Sequence, residues 1–185
     1  MTSSAAPGPA RVLVAGIGNV FLGDDGFGPE VARRLAADGQ LPDGVEVADI
    51  GIRGVHLAYE LLDGCALLIM VDATPRGGEP GSVYVIEPGE AKAGPAHVDP
   101  SAAFGGGPLI DAHGMEPESV LALVTALGGS VGRVLVVGCE PAEVTERMGL
   151  SEPVSQAVEP AAQLVRELLD EAIQEQAGAT PGKGS

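Results

Sequence analysis

The chain has 185 residues, enough for one domain with a core of its own. Its 26 Asp and Glu against 10 Lys and Arg give a formal charge of −16, which argues against nucleic acid as a partner. The longest apolar run, CALLIMV from Cys65, falls far short of the roughly 18 residues that span a bilayer, so no membrane partner is expected.

MTSSAAPGPA lacks the basic start of a signal peptide. Cys65 and Cys139 lie far apart in apolar contexts, outside any CxxC, as buried free thiols do. A cytoplasmic protein is expected. Residues 1–10 and 176–185 are small, polar and Pro-containing, and are expected as disordered tails around a single domain at 11–175.

RVLVAGI (11–17) reads as a buried strand running into the glycine-rich turn GNVFLGDDGFG. Pro29 suits a first helical position, Phe27, Val31 and Leu35 recur every four residues, and Gly39 closes that helix. GVEVADI (44–50) alternates as a strand does, and GVHLAYELLDG (54–64) is a short helix with Val55, Ala58 and Leu62 on one face. His56 is placed on its outer face, four residues from Glu60.

ALLIMVDA (66–73) is apolar almost throughout, the pattern of a central strand covered on both faces. GSVYVIE (81–87) follows after only TPRGGEP, too short for a parallel crossover, so this strand is expected antiparallel at an edge. Residues 88–112 form a long Pro-, Gly- and Ala-rich segment with a functional cover as one use. EPESVLALVTALG (116–128) reads as a helix and RVLVVGC (133–139) as another buried strand. The last helix starts near Ser151, with Val154, Val158, Ala161, Val165, Leu168 and Ala172 inward, and Pro160 is expected to kink or split it. The sum is an α/β fold: a single-domain three-layer sandwich, its mostly parallel twisted sheet of about five strands carrying one antiparallel edge strand and helices on both faces.

Ligands of such sheets bind beyond the carboxyl ends of the strands. Asp24 and Asp25 follow the first strand, Asp72 ends the central one, and His113 in DAHGMEP immediately precedes a helix. Two carboxylates and an imidazole suit a divalent transition metal, with positions left open for substrate or water. Each residue also has a plain structural use: an aspartate as helix cap, Asp72 as a brace of the next turn, His113 as a surface side chain. A dinucleotide fingerprint starting at Gly16 needs glycine where Phe21 stands, and Asp49 fits the ribose position only loosely. HExxH, GxSxG and GxxxxGK[ST] are all absent, and Cys139 has no evident histidine partner for a nucleophile's role.

VLVAGIGNVFLGDDGFGPEVA, LLIMVDAT, DAHGMEPESVLAL and VLVVGCEP, in this order, resemble the successive blocks of the NiFe-hydrogenase maturation endopeptidases. The resemblance runs from about residue 11 to 170 and implies the same twisted sheet between helices. It implies removal of a short C-terminal peptide from the hydrogenase large-subunit precursor once nickel has entered that precursor. The family's metal ligands fall on Asp25, Asp72 and His113, with nickel shared with the precursor, or another divalent metal, as the ion. Gly16, Gly18, Asn19 and Asp24 are then the supporting loop. One departure is DIGIRG at 49–54, where many members have DGGTxG: Ile52 replaces the threonine, and Arg53 becomes a possible substrate contact. A nonproteolytic nickel-delivery protein of the same fold and a nucleotide-binding α/β protein are the alternatives.

Overall fold

The computed structural model describes residues 11–88 and 117–178. Five strands form one sheet, β1 (Val12–Ile17), β2 (Val45–Gly51), β3 (Cys65–Ala73), β4 (Val83–Ile86) and β5 (Val131–Cys139), in the order β2-β1-β3-β5-β4. All neighbours are parallel except β4, which pairs antiparallel with β5 at the edge. The nine-residue connection before β4, residues 74–82, is too short for a crossover, and the observed direction follows from that.

Alternation along the central strands divides the core between the two faces of the sheet. Val12, Val14, Ile69, Val71, Leu135 and Val137 face α1 (Phe27–Asp38) and α4 (Glu152–Gly178). Leu13, Ala15, Leu68, Met70 and Val136 face α2 (Gly54–Glu60) and α3 (Pro117–Ala126). That is the three-layer α/β sandwich.

Gly39, with a φ of 60°, ends α1 in the left-handed conformation that glycine reaches without strain. Pro29 stands two residues inside α1 rather than at its first position, still within the turn whose amides need no intrahelical partner. The buried side of α2 is Gly54, Leu57 and Ala58, continuing to Leu61 of a 3-10 turn; Val55 and Leu62 only flank it. His56 is exposed, and Glu60 is paired with Arg11 instead.

Pro160 does not split α4, which is assigned as one helix through Gly178, three residues past the expected domain end at 175. The bond that Pro160 cannot make would have gone to the carbonyl of Gln156. Both residues face solvent, so water can serve that carbonyl while Ala157, Ala161 and Ala162 keep the inner face closed. Both expected tails, apart from 176–178, and nearly all of the 88–112 segment lie outside the described residues, as do His97 and His113.

Candidate metal centre at the β1/β3 crevice

From β1 the chain crosses to β2 on one side, then returns through α2 to β3 on the other. That reversal opens a crevice between the carboxyl ends of β1 and β3, the usual ligand position in sheets of this kind. The turn after β1 supplies Asp25 to it, and the end of β3 supplies Asp72.

Glycines bring the walls together. A methyl group on Gly28 would lie 2.2 Å from the carbonyl oxygens of both Ile17 and Val71, so the first turn of α1 rests directly on the ends of the two strands. Gly18 has φ of 134°, and a methyl group there would lie 1.8 Å from the Asp25 carbonyl. Neither position accepts a side chain without moving backbone.

The two adjacent aspartates go separate ways. Asp24 is buried and takes four hydrogen bonds: Ser151 N at 2.6 Å, Ser151 Oγ at 2.9 Å, Ala142 N at 2.8 Å and Glu143 N at 2.9 Å. Burial raises its pKa, but the donors from Ser151, Glu143 and Ala142 outweigh burial and hold it below the usual carboxylate value. Asp24 therefore does not cap α1, which has no side-chain cap; it clamps the turn to the 142–151 segment and the start of α4.

Asp25 points the other way. Its Oδ2 accepts the Asn19 amide at 2.7 Å, while Asn19 Oδ1 accepts the Phe21 amide at 3.0 Å. Asp72 is pushed up to about 7, first by burial and then by the Asp25 charge, with the Ala73 amide opposing both. Two neighbouring carboxylates, one of them held half-protonated near neutrality, have no basic partner among the described residues. A divalent cation would relieve both burdens, so these oxygen donors fit a metal. His113 lies outside the described residues, and no group of three metal-binding side chains occurs among those described.

Arg53 is exposed at the start of α2, with no ion pair among the described residues, and Ile52 beside it is 46 % exposed. Asp49 pairs with Arg33 at 3.2 Å on the exposed side of β2. Cys139 is fully buried, and its thiol is pushed up to about 11 by burial, then by the Asp24 and Glu140 charges, the opposite of an activated nucleophile. A groove of about 340 Å³ beside the same turn is lined by Val20, Gly23, Gly26 and Met148, and neither crevice aspartate lines it.

Sequence reasoning missed Glu140, directly after β5 in GCEP. It is 5 % exposed, and its carboxylate accepts Arg76 N at 2.8 Å, Gly77 N at 3.1 Å and the Tyr84 hydroxyl at 3.3 Å. Burial pushes it up, but the amides of Arg76, Gly78 and Gly77 and the Tyr84 hydroxyl hold it below the usual range. An acid next to an apolar strand end, opposite a Gly-Gly turn, was the available signal.

The family model described as hydrogenase maturation protease matches residues 29–168. The chain belongs to the hydrogenase maturation protease family. It is 33 % identical over 174 residues to the hydrogenase expression/formation protein HupD of Rhodobacter capsulatus, covering 93 % of this chain and 78 % of that protein. The hydrogenase maturating endopeptidase HybD of E. coli superposes with a TM-score of 0.68 at 26 % identity, over 88 % of this chain and 93 % of that one. A hydrogenase 2 maturation peptidase from a Thaumarchaeota archaeon gives 0.61 at 31 % identity, over 86 % and 98 %. The chain is thus a protease by family with an α/β fold like those of its structural relatives, and no described helix is long and apolar enough to cross a membrane.

Proposed function

We propose that this maturation protease removes the C-terminal extension of a NiFe-hydrogenase large-subunit precursor, and that Asp25, Asp72 and His113 recognise nickel already carried by that precursor. The observation that carries the reading is the Asp25–Asp72 pair: two neighbouring carboxylates, one from the turn after β1 and one from the end of β3, in a chain of this family, at the sheet's ligand crevice. His113 enters through the resemblance of DAHGMEP alone.

Asn19 holds one oxygen of Asp25 and leaves the other for a ligand. Asp72 must give up its proton to coordinate, so engagement releases a proton and is favoured as pH rises through about 7. Thiolates of the precursor suit nickel better than these oxygens do, so the carboxylates read the ion more than they retain it. A bound divalent ion supplies Lewis-acid polarisation of the scissile carbonyl. Arg53 and Ile52 form an exposed ledge beside the crevice that suits contact with the precursor chain. The two free cysteines support a reducing compartment, the cytoplasm.

The test is mass spectrometry of a nickel-loaded precursor before and after incubation with the full chain. Wild type shortens the precursor; Asp25→Ala and Asp72→Ala leave its mass unchanged. Equal trimming by either variant removes that residue from the proposed role.

A further inference from the structure

The connection from β3 to β4 has little apolar burial to hold it. Pro75 through Pro80 are all exposed, yet this stretch leads directly away from Asp72. One buried side chain ties its middle to the end of β5. Glu140 accepts the successive amides of Arg76 and Gly77 on its two oxygens, and the Tyr84 hydroxyl as well. Successive amides converging this way form an anion-binding nest, and Gly77 supplies the positive φ of 79° that such a turn needs.

The backbone of Glu140 adds two bonds, donating to Ser82 O and accepting from Gly81 N, each at 2.8 Å. One residue earlier, the Cys139 carbonyl accepts the Thr74 amide at 2.8 Å, and two residues earlier Gly138 stands opposite Asp72 in the β3–β5 register. A methyl group on Gly138 would lie 2.6 Å from Thr74 Oγ1, so β5 and the chain leaving Asp72 are in close contact. Glu140 is not itself a candidate third ligand, because both its oxygens already accept hydrogen bonds from the turn.

We propose that Glu140 is a positioning residue: its buried carboxylate fills the amide nest at 76–78 and so fixes the Asp72 end of β3 for cation capture. The inference rests on the ligand role assigned to Asp72 above. Groups bonded directly to a metal ligand typically account for about 10–100-fold in metal affinity, and Glu140, acting on Asp72 through the turn, belongs at the lower end of that range. Gln at 140 presents an NH₂ donor in place of one acceptor oxygen, and so cannot take the Arg76 and Gly77 amides on two separate oxygens as Glu140 does.

Nickel binding to the full chain, titrated with Ni²⁺ alone by calorimetry, tests it on wild type, Glu140→Gln, Gly77→Ala and Asp72→Ala, with melting followed by circular dichroism. Gly77→Ala perturbs the nest from its other side: its methyl group meets no neighbour, and only the turn conformation is strained. The expected result is about tenfold weaker binding in Glu140→Gln, a smaller loss in Gly77→Ala and no detectable binding in Asp72→Ala. If Asp72→Ala loses binding while Glu140→Gln and Gly77→Ala keep wild-type affinity, Glu140 only stabilises the fold and the inference is overturned. If Glu140→Gln fails to fold, Gly77→Ala decides by the same criterion. Wild-type affinity in Asp72→Ala overturns the ligand assignment itself, and the inference with it.

Discussion

Asp72, half-buried at the end of β3, is pushed up to about 7, first by loss of solvent and then by Asp25, which places a second negative charge beside it from the turn after β1. The fold brings two like charges together where the sheet opens, and it supplies no cation among the described residues to neutralise them. This is a poor arrangement for stability and a useful one for capturing a divalent ion.

That arrangement predicts a pH signature without metal. Asp72 binds its proton more tightly folded than unfolded, so its contribution to stability is fully present at low pH and is lost as pH rises through about 7. Chemical denaturation between about pH 5 and pH 7.5 should show wild type losing stability as pH rises, with a flatter profile in Asp72→Asn. The same slope in both proteins would mean that another group sets it.

Asp24 acts with the opposite sign. Its folded pKa is depressed, so its contribution is present above the ordinary carboxylate pKa and is lost as pH falls through the lower folded value. Asp24→Ala leaves the donors of Ala142, Glu143 and Ser151 without their acceptor, at a cost of about 3 kcal/mol. Urea denaturation measures it, and a loss within about 0.5 kcal/mol of zero would show that the clamp has little weight.

Gly28→Ala joins stability to the site. Its methyl group meets the backbone carbonyls of Ile17 and Val71, so α1 must move away from the ends of β1 and β3. A cost of about 1–3 kcal/mol is expected from such overpacking. Moving Asp25 from Asp72 also weakens their repulsion, so Asp72 should titrate lower, though still above the usual range because burial is the larger cause. A carboxyl carbon titration by nuclear magnetic resonance reads both the direction and the residue.

Cys139 should be inert. A fully buried thiol raised to about 11 presents almost no thiolate near neutrality. Native-state alkylation should leave it unmodified, and Cys139→Ala should process precursor at the wild-type rate. Rapid labelling with loss of processing would restore the cysteine nucleophile.

Much of the architecture was legible because it rests on local patterns. The largely apolar stretches at 11–17, 66–73 and 133–139 mark the central strands, which extend in the structure to Cys65 and Val131 at their starts, and the short TPRGGEP connection sets the direction of β4. The proximity of Asp25 and Asp72 follows from β/α alternation, since the switch between β1 and β3 lies where both strands end. The less legible features depend on distant partners. Asp24 resembled a local helix cap, but its donors lie 118 to 127 residues away. Glu140 resembled an ordinary acid after a strand until its partners 56 to 64 residues earlier came into contact. The α2 face shifted from Val55 and Leu62 to Leu57 and Leu61 because α3 packs against it, which periodicity in a seven-residue helix cannot resolve.

The central claim is tested most directly by the mass of a nickel-loaded hydrogenase large-subunit precursor after incubation with wild type, Asp25→Ala, Asp72→Ala and His113→Ala, beside a nickel-free precursor. The account predicts loss of the C-terminal extension only with wild type and only from the nickel-loaded precursor. Cleavage of the nickel-free precursor at the same rate, or by all three variants, would contradict it.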